Sequence, residues 1–278
     1  MKKFAGLICL GALCSAQPLF ATTVYDSQGF ETSRGYVAGP LAGQVGTDTQ
    51  TMPSNTKWTE FADPGNTGTV PTAIVGTAPG TPVAGGTQAV TVTRSTGTTY
   101  WGFNAAPTTP TNFALIDWDM RYQSGATNQP VYGIEVYDAG TQLASAGVNA
   151  TNGHLMSLDS NLDTLDTGVV TSPADQYHHW QIAMDFVAQQ YTVSVDGTVD
   201  YTAPFLATDT QFTDADIFGR GALDDGVNGI GGPAHPTTGS AYFDNYLVQT
   251  SATLTPEPGS LALVGLAGLG LLRRRSSR

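Results

Sequence analysis

Chemistry in this chain would have to come from carboxylates, because the other reactive side chains are few or badly spaced. Asp117-Trp118-Asp119 puts two acids at alternate positions, so an extended backbone sets both on one face. Two carboxyl groups flanking a glycosidic bond are the usual means of hydrolysing it. Asp117 and Asp119, with Arg121, are expected on the wet face of a strand whose other face carries Ile116, Trp118, Met120 and Tyr122. Glu135 and Asp138 stand three positions apart and fall on opposite faces of an extended segment. The same holds for the neighbours His178 and His179, so they do not form a chelating pair, and His154 and His235 are isolated in loop-like sequence. Asp159-Ser160-Asn161-Leu162-Asp163 opens like a calcium-binding EF-hand loop, but Thr164 stands where that loop needs glycine and Val170 where it needs glutamate. Neither Ser145 nor Ser240 sits in a Gly-x-Ser-x-Gly elbow. Tyr100-Trp101, beside the Pro-rich segment 105–111, offers flat rings on which a sugar could stack; packing in the core is the competing role for Trp101.

The elements that must position these groups are strands. Short alternating runs at 89–93, 114–122, 131–137, 180–186, 191–195 and 241–248 are separated by clusters of Gly, Pro, Asp, Asn and Thr, and no helical period is sustained between the chain ends. Asp196-Gly197 is a favoured pair for a tight hairpin turn. A strict two-residue turn would set Val199 and Tyr201 on the face opposite Val193 and Val195, so either both faces are covered or a bulge shifts the register. Segments 64–86 and 219–239 lack strand alternation and are expected to be long surface loops. The expected fold is all-β, a single sandwich over residues 22–254.

Composition excludes several classes. Of 278 residues only 12% are charged while 40% are hydrophobic, which does not suit a disordered chain. A pI near 4.4 excludes nucleic acid as a partner. Five of the basic residues and 22 of the 23 acids lie in the body, leaving it at −17, a charge that repels anionic surfaces and attracts divalent cations.

Both ends read as addresses. Lys2-Lys3 followed by a short apolar run and small residues has the order of a secretory signal peptide, 1–21, cleaved after Ala16 or Ala21. Cys9 and Cys14 leave with it. At the other end Pro256-Glu257-Pro258 precedes the apolar stretch 261–272, and Arg273, Arg274 and Arg275 follow. Twelve helical residues span about 18 Å, short of a bilayer core, and the arginines would stay cytoplasmic. This three-part order resembles the PEP-CTERM sorting signal of Gram-negative bacteria, here 255–278. The resemblance implies transient insertion in the inner membrane through a short C-terminal apolar helix, processing by an exosortase-type protease, and delivery to the cell surface or extracellular matrix.

A second resemblance covers the body. Phe30-Glu31, Gly86-Thr87-Gln88-Ala89-Val90, Trp180, the 191–197 strand and turn, and Tyr242-Phe243-Asp244-Asn245 are together similar to the concanavalin A-like (LamG/glucanase) jelly roll. That resemblance implies neighbouring first and last strands, with Glu31 and Asp244 sharing a structural Ca²⁺. Hydrolases of the fold carry a Glu-x-Asp-x-x-Glu strand that this chain lacks, so no catalytic residue is assigned. The expectation is an exported, exosortase-sorted, non-catalytic envelope or matrix protein that binds polysaccharide. The alternatives are an inert structural or adhesive surface protein and a glycan hydrolase with an atypical carboxylate site.

Overall fold

The computed structural model describes residues 22–45, 57–62, 72–82, 85–93, 99–102, 112–159, 164–171, 173–209, 211–221 and 238–251. The expected signal peptide, the expected sorting tail, Asn161, Asp163 and His235 lie outside them. In chain order the strands are β1 (Thr22–Asp26), β2 (Gly39–Pro40), β3 (Thr59–Ala62), β4 (Thr72–Thr77), β5 (Gln88–Thr93), β6 (Thr99–Gly102), β7 (Phe113–Tyr122) and β8 (Pro130–Asp138), continuing with β9 (Thr141–Asn149), β10 (His154–Leu158), β11 (Thr164–Val170), β12 (His178–Asp185), β13 (Gln190–Val195), β14 (Thr198–Pro204), β15 (Asp214–Gly221) and β16 (Ser240–Ser251). Two short 3₁₀ turns, Gln28–Phe30 and Thr32–Arg34, follow β1.

These strands form the expected all-β jelly-roll sandwich of two antiparallel sheets. One runs β14-β13-β12-β7-β16-β5-β4-β2, with β1 also pairing β16; the other runs β11-β10-β9-β8-β15-β6-β3. Alternate residues of both sheets fill the space between them: Ile116, Trp118, Met120, Trp180, Ile182, Phe243 and Val248 from the first, Ile134, Val136, Ala144, Ala146, Ala215 and Ile217 from the second. First and last strands are neighbours, as the family resemblance implies, with Thr22 opposite Thr250.

All six strands legible in the sequence are present, and the loops need correction. Segment 64–86 contains β4, whose buried Ala73 and Val75 alternate with Ile74, 38% exposed. Turn-rich composition hides a six-residue strand that pairing with β5 on one side and β2 on the other stabilises. β15 runs into the second segment, as far as Gly221. His154 opens β10 rather than sitting in a loop, and its Nδ1 meets Asp166 Oδ2 at 2.9 Å. The Asp196-Gly197 turn has both residues at positive φ, 50° and 76°. Of the two register solutions the chain adopts the bulge: Val193 faces Tyr201 while Ser194 faces Val199, which keeps Tyr201 on the core side and leaves Val199 62% exposed.

Candidate functional site

Two polar clusters occupy the faces that turn away from the sandwich interior. The first lies on the nine-stranded sheet. β7 sits between β12 and β16, so Asp119 stands opposite both His179 and Asp244, and Asp117 stands opposite Gln181. The wet-face expectation is corrected: Asp119 is 1% exposed and Asp117 8%. Neighbouring strands cover them. His179 bridges the pair, with Nε2 3.3 Å from Asp117 Oδ1 and Nδ1 3.1 Å from Asp119 Oδ1. Gln181 Nε2 donates to Asp117 Oδ1 at 2.8 Å, and Asn245 Nδ2 donates to Asp119 Oδ2 at 2.8 Å. Hydrogen bonding to Asp117 and then Asp119 raises the His179 imidazole to about 10, against the opposing pull of desolvation. His178 goes elsewhere, to Asp196 Oδ2 at 2.6 Å, as expected of strand neighbours.

This array continues to Asp244 and Glu31. The segment after β1 is pinned by aromatic packing: Phe30 lies 5.1 Å from Tyr36 and 5.9 Å from Trp58 between ring centroids, and Trp58 Nε1 donates to Tyr25 Oη at 2.7 Å. Gln28, Phe30 and Asn245 are non-glycine residues at positive φ, a strained backbone held by its surroundings. The result brings Glu31 and Asp244 together around Gly86. A Cβ on Gly86 would lie 2.8 Å from Glu31 Oε1 and 3.5 Å from Asp244 Oδ2. Burial pulls the Glu31 carboxyl up, but hydrogen bonds from the amides of Thr87 and Gln88 and the Thr87 hydroxyl leave it lowered. Asp244 is fully buried and its Oδ2 has no hydrogen-bond partner. Burial, with Asp119 and Glu31 nearby, raises it to about 8, despite the opposing hydrogen bond from the Asn245 amide. Among the described residues no three Asp, Glu or His side chains are arranged to hold a metal ion.

The second cluster lies on the seven-stranded sheet. Ile134 and Val136 of β8 point into the sandwich, so Val131, Gly133, Glu135 and Tyr137 point away from it. Asp216 of β15 is directly opposite Glu135, Phe218 opposite Gly133 and Arg220 opposite Val131. Val131, Met156 and Phe218 form a small apolar patch of their own, with partly buried Tyr100 against it. Arg220 lies over the Phe218 ring, 4.8 Å from its centroid, and Nη1 reaches Glu135 Oε1 at 2.7 Å. Tyr137 Oη donates to Glu135 Oε2 at 2.6 Å. Asp216 sits above Gly102, where a Cβ would fall 1.8 Å from its Oδ1. Burial first, then Asp214 and Glu135, push the Asp216 carboxyl up to about 8. Asp138 takes Asp209 and Asp214 as neighbours.

Tyr100 and Trp101 part company. Tyr100 borders the second cluster, whereas Trp101 is fully buried in the main core and its Nε1 donates to Glu60 at 3.1 Å. Trp101 therefore presents no open ring plane, which corrects the expectation of a two-residue stacking platform. Asp216 and Arg220 were missed in the sequence because no strand was assigned over 214–218 and Arg220 fell in the loop expected at 219–239. Only pairing with β8 shows which of its residues share a face.

No curated protein sequence matches the chain. Among solved structures it is similar to a sialidase at 12% identity, over 70% of this chain and 17% of that one, with a TM-score of 0.48. It is similar to a Bacillus licheniformis β-glucanase at 14% identity, over 77% and 97%, TM-score 0.42, and to an endo-β-1,4-glucuronan lyase from the fungus Trichoderma reesei at 16% identity, over 69% and 90%, TM-score 0.43. The chain thus spans less than a fifth of the sialidase's length. Residues 254–276 match the PEP-CTERM protein-sorting motif, which signals export, sorting to the cell surface of Gram-negative bacteria and processing by an exosortase.

Proposed function

We propose that the exported body holds a polysaccharide on the outward face of the seven-stranded sheet without cleaving it, at the cell surface or in the extracellular matrix. The observation that carries this reading is the Glu135, Asp216, Arg220 and Tyr100 cluster. Ordinary sheet exteriors do not bury an ion pair and a protonated carboxyl beside an aromatic patch, whereas sugars are bound by rings that stack on their apolar faces and polar groups that meet their hydroxyls. Hydrolysis is disfavoured because it needs a free base or nucleophile. Glu135 is already held in an ion pair with Arg220 and accepts a hydrogen bond from Tyr137.

Titration of the mature protein with soluble polysaccharides tests this. Binding is expected without release of reducing ends, and Tyr100→Ala is expected to weaken it several-fold to about tenfold through loss of a stacking contact worth ~1 kcal/mol. Trp101→Ala is expected to cost about 3–5 kcal/mol of stability instead. Conversion of any polysaccharide would favour the hydrolase alternative. Absence of all glycan binding would favour an inert adhesive role.

A structural Ca²⁺ at Glu31 and Asp244 is part of the same proposal. Hard carboxylate oxygens suit it, and the buried Asp244 Oδ2 lacks a partner beside a glycine that leaves room. Two carboxylates do not complete a shell of six to eight oxygens, so backbone carbonyls and water must supply the rest. A rise in Tm on adding Ca²⁺ to chelator-treated protein, lost in Asp244→Asn, is the expected result; an unchanged Tm overturns it.

A further inference from the structure

Three rings form a row across neighbouring strands on the outward face of the seven-stranded sheet. Phe61 of β3 is directly opposite Tyr100 of β6, and Tyr100 is directly opposite Phe218 of β15. Residues directly opposed on antiparallel strands project to the same face, so Phe61 shares the face that carries Tyr100 and the polar cluster. Alternation agrees: the adjoining pair, Glu60 with Trp101, has Trp101 in the main core. Exposure rises along the row toward the sheet edge. Phe218 is fully buried, Tyr100 is partly buried against the Phe218 patch, and Phe61 on the last strand of the sheet is 42% exposed. Among the described residues Phe61 is the one exposed aromatic; the other exposed large apolar side chains are Val, Ile and Leu.

A pyranose is held on an aromatic ring by its C–H face, which needs a flat apolar surface open to solvent and no charge. Phe61 offers such a surface and Phe218 does not. Neighbouring strands lie about 4.8 Å apart, close to the advance of one sugar unit along an extended chain. A chain lying across β6 and β3 therefore meets Tyr100 with one unit and Phe61 with the next.

We propose that Phe61 is a second sugar-stacking residue, and that Tyr100 and Phe61 together take two consecutive units of the polysaccharide. This rests on the glycan-binding reading above and extends its site to the edge of the sheet. The two-ring platform is thus built across strands, from residues 39 positions apart in sequence, and not from Tyr100 and Trp101 along one strand.

The test casts hydroxyethyl cellulose, laminarin and dextran separately into native gels and runs the mature protein through each. Wild-type protein is expected to be slowed by at least one of them. On that polysaccharide Phe61→Ala is expected to bind several-fold to about tenfold more weakly, the loss of one stacked ring. Phe61→Leu keeps apolar bulk without a flat ring and is expected to bind more weakly as well, whereas Phe61→Trp is expected to bind at least as tightly as wild type. Val199→Ala, which trims an exposed apolar residue of the other sheet, is expected to change nothing. Undiminished binding by Phe61→Ala, or by Phe61→Leu, overturns the stacking role of Phe61 and leaves glycan binding standing. Unaltered mobility of wild-type protein in all three polysaccharides overturns the two together. Should Phe61→Ala fail to fold, as circular dichroism would show, the comparison of Phe61→Leu with Phe61→Trp decides.

Discussion

A carboxyl group taken out of water must find a cation or keep its proton. Glu135 meets Arg220, Asp119 meets His179, and Asp216 and Asp244 are raised to about 8. The raised Asp216 makes stability fall with pH. Unfolded, it ionises near its ordinary 3.8; folded, it holds its proton to about 8, so between those values the unfolded state binds fewer protons. It contributes a slope of up to about 1.4 kcal/mol per pH unit in that window. Urea denaturation from about pH 5 to about pH 8 should show this decline, and Asp216→Asn should flatten part of it. His179 acts in a higher window. Its pKa is raised to about 10, so its contribution is complete below 6.5 and is lost as pH climbs through 10. His179→Ala leaves Asp119 buried without its cation, and a loss of about 1–3 kcal/mol at neutral pH is expected, the imidazole being 42% exposed.

Among the elements, β15 does most to build the glycan face, and it is the least legible in sequence. Ala215 and Ile217 fix its inner side, so Asp216 and Arg220 must face outward, and β8 supplies Glu135 opposite. Neighbouring β6 makes space: Gly102 lies under Asp216, and any side chain there would collide with it. Gly102→Ala should therefore cost about 1–3 kcal/mol in denaturant melts and weaken glycan binding, with the sheet signature in circular dichroism retained. β7 was legible because ten residues alternate cleanly. Its burial was not, because the cover over Asp119 comes from β12 and from the bulge at Asn245, whose partners lie 60 and 126 residues away in sequence.

For the whole molecule, the sandwich and the sorting motif describe separate stretches of one chain, each with its own test. Replacing Arg273, Arg274 and Arg275 by Ala is expected to leave the tail uncut, so that intact mass shows a longer product and the released fraction falls; identical mass and release would count against exosortase processing.

By itself the sequence determined the sorting motif, the all-β class and the centre of the sandwich, since each is written in contiguous residues whose spacing carries the signal. It also singled out Glu31 and Asp244, through a resemblance spread along the chain. Tertiary structure alone decided that Trp101 faces inward and Tyr100 outward, that Asp117 and Asp119 are dry, and that Asp216 and Arg220 meet Glu135. These depend on which strands become neighbours and in what register, and a one-residue slip would move every side chain of a strand to its other face.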